Sequence, residues 1–369
     1  MRRKRKHLPA LVEAPIAALI RGAMTAPLAL GLPAALGMAR GLGEVYPRLQ
    51  PKRFERAVRN LRDAYPAWSE DRVRANAVAS YQHLFQLGVE LLFTPRLVTR
   101  ETFARHLHFS NASLPGVLEV LSDSPVILIT GHVGNWELVG YAMSMLGFRV
   151  HAVYRPLDLR PLDAWVRDTR ERRGLTLVSK FGAMKALPRA LARREPVGLV
   201  ADQSGGERGV FVPFFGRLTS TYKSVGMLAL QSKARLVCGY ARRLAPGEPP
   251  PPTMLGEQPR AASADTLRYV VETVDVFGPD EYMAQPDPLY YITARYRRAL
   301  EAMVRRSPEQ YFWMHRVWRS RPLHERTGKP FPAHLRAKLE ALPWMTPADV
   351  EAVVERSARD AADLKALQR

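Results

Sequence analysis

A histidine and a glutamate follow closely after a short apolar run and could carry out acid–base chemistry together. Residues 126–130 read Val-Ile-Leu-Ile-Thr, and residues 131–137 continue as Gly-His-Val-Gly-Asn-Trp-Glu. The apolar run predicts a buried strand, and a helix is expected to begin near position 135 or 136. On one continuous helix these two side chains would be about 140° apart, but the intervening loop allows them to meet. A carboxylate beside an imidazole fixes its tautomer, so the pattern predicts His132 as a general base oriented by Glu137.

The backbone around this histidine is also suited to binding an anion. Gly131 and Gly134 permit a ligand to approach the main chain closely. The start of the helix, near Asn135, offers free N–H groups to an anion or oxyanion, so Gly134 and Asn135 are predicted to contact the substrate. The location agrees with the rule that ligands bind beyond the carboxyl ends of parallel strands. The same residues also fit an ordinary strand–loop–helix turn with a capping Asn135 and an incidental His132.

The surrounding elements predict an α/β fold, with a largely parallel mixed sheet covered by helices on both faces. Short and nearly all-apolar strands alternate with helices, which is typical of a sheet buried on both sides. Residues 51–100 are predicted to be helical, with a helix start at Ser69. The predicted strands are 126–130, 149–154, 175–179, 197–201 and 236–240, and the later helices are 136–146, 162–173, 183–193, 222–233 and 291–304.

The N-terminus predicts membrane-associated helices. Five basic residues at positions 2–6 precede an apolar stretch whose longest uncharged run is Gly22 to Ala39. A spanning helix needs roughly 20 apolar residues, so the run fits an interfacial hairpin or anchor, or a short spanning helix. A soluble or cleaved segment and a buried amphipathic helix are the alternatives. The basic cluster favours a cytoplasmic N-terminus.

The charge balance indicates an acidic partner. The chain of 369 residues has 55 Lys and Arg against 35 Asp and Glu, a net charge of +20. Nucleic acid, an anionic membrane and phosphorylated substrates all suit such a balance. The sequence contains no zinc-finger spacing or helix-turn-helix signal, which disfavours nucleic acid, and no Gly-x-Ser-x-Gly elbow, which disfavours a hydrolase. The single cysteine, Cys238, excludes an intramolecular disulfide and a thiolate metal cluster.

Six blocks, in one order over about residues 50–325, resemble the late lipid A acyltransferases, the lauroyl and myristoyl branch of the His-x4-Asp/Glu glycerolipid-type acyltransferases. The tail beyond Pro330 has no counterpart in that pattern. The blocks are residues 131–137, Val-Tyr-Arg-Pro at 153–156, the helix 162–170, Gly-Leu-Val-Ala-Asp-Gln at 198–203, Val-Pro-Phe-Phe-Gly at 212–216 followed by 219–221, and Pro-Glu-Gln-Tyr-Phe-Trp-Met-His-Arg at 308–316.

The resemblance implies an acyltransferase that needs no cofactor, no metal and no covalent intermediate. His132 would take the proton from an acceptor hydroxyl, which would attack a thioester carried by an acyl carrier protein or CoA. Arg170, Asp202 and Arg155 are implied to bind substrate. For His315 and Arg316 a structural role in an amphipathic end-piece is favoured over a catalytic one.

The implied acceptor is a phosphorylated, lipid A-type glycolipid precursor at the cytoplasmic face of the inner membrane. A phosphatidylinositol mannoside, an ornithine lipid and a lysophospholipid are alternative acceptors, and a basic nucleic-acid-binding protein is the remaining alternative class. The predicted domains are a membrane-anchoring segment at 1–50, an acyltransferase domain at 51–330 and a helical tail at 331–369.

Overall fold

A seven-stranded sheet organises the protein. The computed structural model describes residues 10–109, 114–172, 174–251 and 267–366. The strand order is β1-β9-β8-β2-β5-β3-β4, and every neighbouring pair is parallel except β8 and β9. A separate antiparallel hairpin is formed by β6 and β7. The strands are β1 (Leu107–Phe109), β2 (Val126–Thr130), β3 (His151–Tyr154), β4 (Thr176–Ser179), β5 (Val197–Val200), β6 (Val210–Phe214), β7 (Arg217–Thr221), β8 (Arg235–Arg243) and β9 (Tyr269–Phe277).

The central strand β2 is buried on both faces. Ile127 and Ile129 belong to one apolar cluster, and Val126 and Leu128 belong to another. Because successive side chains of a strand point to opposite faces, each face of the sheet carries its own core. This confirms the prediction of a largely parallel sheet, and all five predicted strands are present.

Three features of the sheet were not predicted, each for a physical reason. Strand β1 has only three residues, which is too short for a periodic signal. The β6–β7 hairpin turns through Phe215 and Gly216, both with positive φ, which is the geometry of a tight hairpin turn. Strand β9 is only half-buried along most of its length, so it lacks the continuous apolar run of a central strand.

Helices cover both faces of this sheet. Ser69 caps α4 as predicted, because its hydroxyl accepts a hydrogen bond from the Arg72 N–H at 3.3 Å. The helices are α1 (Ala10–Thr25), α2 (Leu32–Leu49), α3 (Pro51–Ala64), α4 (Glu70–Leu97), α5 (Leu114–Asp123), α6 (Trp136–Met145), α7 (Arg160–Glu171), α8 (Ala183–Ala192), α9 (Lys223–Ser232), α10 (Pro279–Tyr282), α11 (Pro288–Arg306), α12 (Leu323–Thr327), α13 (Ala333–Glu340) and α14 (Pro347–Ala366), with short 3-10 turns at Ala26–Leu30, Phe103–Arg105 and Pro308–Gln310.

The uncharged N-terminal run does not form one helix. It is divided between the end of α1, the 3-10 turn and the start of α2, where Gly31 has a φ of 75°. Pro27 and Pro33 each lie near the start of a new helical segment, where a proline is tolerated. Helix α2 then packs against α4 through a small apolar cluster. Among the residues described, no helix combines the length and apolar character needed to cross a bilayer. The basic residues 2–6 lie outside the described residues.

Candidate active site

The loop that carries His132 is held by main-chain hydrogen bonds on both sides. The Gly134 N–H donates to the Gln310 carbonyl at 3.1 Å, and the Phe312 N–H donates to the His132 carbonyl at 2.9 Å. On the other side the Asn135 N–H donates to the Ala241 carbonyl at 2.8 Å. Gly134 has a φ of 59°, and a Cβ at this position would collide with the Ala241 carbonyl oxygen. The close packing of this loop against β8 therefore requires glycine at this position.

His132 is paired with Asp202. Strands β2 and β5 are parallel neighbours, with Thr130 opposite Val200, so the residues two positions beyond each strand lie together. His132 Nδ1 is 2.7 Å from Asp202 Oδ1, and the His132 main-chain N–H donates to Asp202 Oδ2 at 3.0 Å. The Asp202 side chain is only 1% exposed and that of His132 is 18% exposed. The carboxylate is thus buried beneath an imidazole that still reaches the surface.

The electrostatics of this pair assign the proton on the ring. Burial opposes ionisation of Asp202, but the charge and hydrogen bonds of His132, with a smaller effect of His315, outweigh it and lower the pKa of Asp202. An ionised carboxylate can only accept hydrogen bonds, so His132 Nδ1 must donate. In the neutral ring Nε2 then carries a free lone pair. This is the tautomer that a general base requires.

The structure corrects the predicted partner of His132. Glu137 forms an ion pair with Arg170, which extends from the last turn of α7. Helix α6 begins at Trp136, and the Trp136 ring packs edge-on against the His132 ring, with centroids 4.8 Å apart. The residue of this helix that faces His132 is therefore Trp136, while Asp202 from the neighbouring strand occupies the orienting position. The spacing along one loop could not show this contact across the sheet.

A second histidine lies against this pair. The rings of His132 and His315 meet edge to face with centroids 4.5 Å apart, and His315 Nδ1 is 3.9 Å from Asp202 Oδ2. Burial lowers the pKa of His315 to about 4, despite the opposing effect of Asp202, so this ring is neutral near pH 7. One ligand atom each of His132, Asp202 and His315 lie within 4.8 Å of one another, a set that could hold a cation.

The remaining predicted site residues are Asn135, Gly134 and Arg155. The side chain of Asn135 is buried, where its oxygen caps α6 by accepting from the Leu138 N–H at 3.2 Å and its amide donates to Glu90 at 3.0 Å. The capping alternative is therefore observed, and these contacts occupy Asn135 within the protein. Gly134 faces β8 as described above. Arg155 is exposed just beyond the carboxyl end of β3, two strands away from β2.

A buried polar cluster behind the loop was not predicted. Glu90 of α4 is fully buried, accepts from the Tyr269 hydroxyl at 2.6 Å and from Asn135, and pairs with Arg243 at the end of β8. Burial raises the pKa of Glu90, and these partners oppose that effect. Gln310 joins the cluster by exchanging two hydrogen bonds with the Arg243 main chain, at 2.9 and 3.0 Å. One signal in the sequence could have indicated this cluster: Glu90 is a lone glutamate within an apolar stretch of α4. A carboxylate buried at such a position needs hydrogen-bonding partners.

Cavities of opposite character flank the site. On the side of Glu137 and Arg170 lies a mainly apolar cavity of about 110 Å³ between α6 and the sheet, and a second of about 190 Å³ between α4 and α6. On the side of Asp202 and His315 lies an open polar cavity of about 1000 Å³. Three residues that contact His132 line these cavities: Trp136 lines the two apolar ones, and Asp202 and His315 line the polar one.

The sequence as a whole matches known proteins. The family model described as bacterial lipid A biosynthesis acyltransferase matches residues 2–320. The lipid A biosynthesis lauroyltransferase of Escherichia coli (strain K12) is 26% identical over 289 residues, covering 76% of this chain and 84% of that protein. The lipid A biosynthesis acyltransferase of Haemophilus influenzae is 23% identical over 277 residues, covering 73% and 77%. The palmitoleoyltransferase of the same Escherichia coli strain is 23% identical over 208 residues, covering 56% and 59%.

The family model covers most of the chain. The protein belongs to the bacterial lipid A biosynthesis acyltransferase family. It is an acyltransferase.

Proposed function

We propose that the protein transfers a fatty acyl chain from a thioester, on an acyl carrier protein or CoA, to a hydroxyl group of a lipid A-type glycolipid precursor. The observation that carries this proposal is the pairing of His132 with the buried Asp202, which lines the polar cavity, while Trp136 beside His132 lines the apolar ones. The similar enzymes are named as a lauroyltransferase and an acyltransferase of lipid A biosynthesis, which is consistent with it.

In the proposed mechanism, His132 acts as the general base. Its Nε2 accepts the proton of the acceptor hydroxyl as the oxygen attacks the thioester carbonyl carbon. The new C–O bond forms, the C–S bond then breaks, and the imidazolium returns the proton to the departing thiolate. Asp202 stabilises the imidazolium between these two steps, because its charge and hydrogen bond favour the protonated ring.

The apolar cavities are the proposed site of the acyl chain. Both are lined by Trp136, Glu137 and Arg170, so the ion pair lies where the two cavities meet. Hydrocarbon placed there leaves water, which is favourable by about 25 cal/mol for each Å² of apolar surface buried. The Glu137–Arg170 pair would then position the polar end of the chain near His132. This is a positioning role, because neither side chain contacts the imidazole through a described hydrogen bond.

The decisive test is acyl transfer by purified His132→Ala protein. We expect a loss of about 10²- to 10⁴-fold, the usual contribution of a general base. His334→Ala is a matched control, because His334 is an exposed histidine on α13. Transfer at the wild-type rate by the His132 variant would contradict the proposed mechanism. Transfer by the wild-type protein to another lipid but not to a lipid A precursor would contradict the proposed acceptor.

We also propose that α1 and α2 bind the surface of the membrane. They expose large apolar side chains, including Leu19 at 76% and Leu49 at 69%, together with Leu42 and Val45, and Leu30 is exposed in the 3-10 turn between them. Exposed apolar residues beside basic ones are typical of helices that lie in a bilayer interface. Such a location would bring a lipid acceptor to the site from the cytoplasmic face of the inner membrane.

Sedimentation with anionic phospholipid vesicles tests this location. We expect the triple variant Leu19→Ser, Leu42→Ser and Leu49→Ser to bind vesicles at least about tenfold more weakly, since it removes three exposed apolar side chains. The unfolding midpoint should change little, because these side chains contribute little to the core. Equal vesicle binding by the variant and the wild type would contradict an interfacial role of these helices.

A further inference from the structure

The wall of the open polar cavity includes Asp202 and residues of the C-terminal helices. Asp202 and His315 line it, and so do Leu323, Arg326 and Leu364. The first two belong to the region that matches the family model, which ends at residue 320. The last three lie beyond that region. The cavity wall therefore combines the family core with a segment outside the match.

The cavity carries unneutralised positive charge. Arg316 and Arg319 line it and are exposed, and within the described ranges neither forms an ion pair. Arg326 lies within 3.3 Å of Glu207, but both side chains are largely exposed, so this pair is weak. The other carboxylate in the wall, Asp202, is engaged with His132. Several guanidinium groups around one cavity are suited to a phosphate, which they can bind in a bidentate manner.

The C-terminal helices are firmly attached, so they can form a binding wall. Arg321 pairs with Glu325 at 2.7 Å and with Asp360 of α14, and all three side chains are buried. The Ser357 hydroxyl donates to Glu325 at 2.6 Å, which ties α14 to α12. These contacts fix the positions of Leu323 and Arg326 on α12 and of Leu364 on α14 relative to the catalytic pair.

We propose that this cavity binds the phosphorylated headgroup of the acceptor lipid, with Arg316, Arg319 and Arg326 as the phosphate ligands and α12 and α14 as part of the wall. This inference rests on the proposed acyl transfer to a phosphorylated glycolipid. The acyl chain of the donor takes the apolar side of His132, which leaves the polar side for the acceptor. In an acyl carrier protein or CoA, a long uncharged arm separates the thioester from the nearest phosphate. Arg316 lies next to His315 at the site itself, so a phosphate of the acceptor suits it better than a phosphate of the donor.

Steady-state kinetics with two acceptors test the assignment. The acceptors are a phosphorylated lipid A precursor and the same lipid after phosphatase treatment, each varied at saturating acyl donor. For Arg316→Gln and Arg319→Gln we expect KM for the phosphorylated lipid to rise about tenfold or more, because a charged hydrogen bond is lost. For Arg326→Gln we expect a smaller rise, because Arg326 already pairs with Glu207. With the dephosphorylated lipid the variants should match the wild type.

The control is Arg359→Gln, an exposed arginine on α14 that does not line the cavity. It should leave both KM values unchanged, and thermal unfolding should confirm that all variants are folded. A rise in KM for the acyl donor in place of the acceptor would overturn the proposal, as would unchanged KM values in the three cavity variants. A wild-type protein that acylates neither lipid would contradict the proposed function itself, which distinguishes the two failures.

Discussion

Asp202 accepts two hydrogen bonds from one residue, the ring and the main chain of His132. Its main-chain carbonyl is also fixed, because the buried Arg297 donates to it at 2.7 Å. A carboxylate held in this way fixes both the tautomer and the direction of the imidazole.

We expect Asp202→Asn to reduce kcat by about 10²- to 10⁴-fold with little change in fold, because an amide lacks the charge that stabilises the imidazolium. Acyl transfer and far-ultraviolet circular dichroism of the purified variant measure the two effects. Asp363→Asn, at an exposed position of α14, is the control. Activity close to wild type in the Asp202 variant would remove this residue from the mechanism.

The Glu137–Arg170 pair should act as one unit. Both side chains are about one-fifth exposed, so removal of either one leaves a partly buried charge without its partner. We expect Glu137→Gln, Arg170→Gln and the double variant to lower kcat/KM by similar factors, a strongly non-additive result. Arg170→Lys should not restore activity, because an ammonium group lacks the planar fork of a guanidinium. Losses that multiply in the double variant would show that the two residues act independently.

At the level of elements, α4 supports the loop that carries His132. His83 of this helix lies with Nε2 3.1 Å from the Gly134 carbonyl oxygen, and Glu90, two turns further along, bonds to Asn135. A carbonyl can only accept, so His83 Nε2 carries a proton and donates it. Burial, with a contribution from the charge of Arg243, lowers the pKa of His83 to about 3.

This shift predicts a pH dependence of stability. The folded-state pKa of His83 lies below its unfolded value of about 6.5, so the unfolded chain binds the extra proton first. The contribution of neutral His83 to the free energy of unfolding is complete above the unfolded-state pKa. It is lost as the pH falls towards the folded-state pKa, at up to about 1.4 kcal/mol per pH unit. Urea unfolding between pH 7 and pH 4 should therefore show a shallower loss for His83→Gln than for wild type. Parallel curves for the two proteins would contradict a buried neutral His83.

At the level of the whole molecule, Asp360 connects distant parts of the chain. It is 1% exposed and pairs with Arg217 of β7 at 2.8 Å, with Arg321, and with Arg356 at 3.3 Å. Arg217 and Arg356 also pair with Asp63 of α3. One buried carboxylate thus joins the hairpin β6–β7, the C-terminal helices and α3 in a single network.

We expect Asp360→Ala to lower the free energy of unfolding by about 3 kcal/mol, because it removes a buried carboxylate shared by three arginines and leaves Arg321 with Glu325, and Arg217 and Arg356 with Asp63. Denaturant unfolding measures this change. Asp363→Ala, at the exposed position on the same helix, should stay within about 0.5 kcal/mol of wild type. An unchanged unfolding midpoint in the Asp360 variant would mean that the C-terminal helices contribute little to global stability.

Much of the architecture was predictable from local patterns. The apolar strand 126–130 and the helix after it carry their own signals, because burial on both faces demands a continuous apolar run and a helix start has recognisable caps. The glycines around His132 and the order of the motifs indicated the position of the site and its chemical class. The resemblance carried by these motifs also implied that Arg170 and Asp202 bind the substrate.

The pairing of the site residues was decided by tertiary structure. Glu137 follows His132 by five positions, yet Asp202, 70 positions away, lies closer, because β2 and β5 are neighbours in the sheet. The partner of Glu137 comes from α7, and the support of the loop comes from Glu90 on α4. Sequence spacing describes contacts within one segment, whereas a parallel sheet brings together the carboxyl ends of strands that are distant along the chain. Only the three-dimensional arrangement could assign Asp202 to His132 and Arg170 to Glu137.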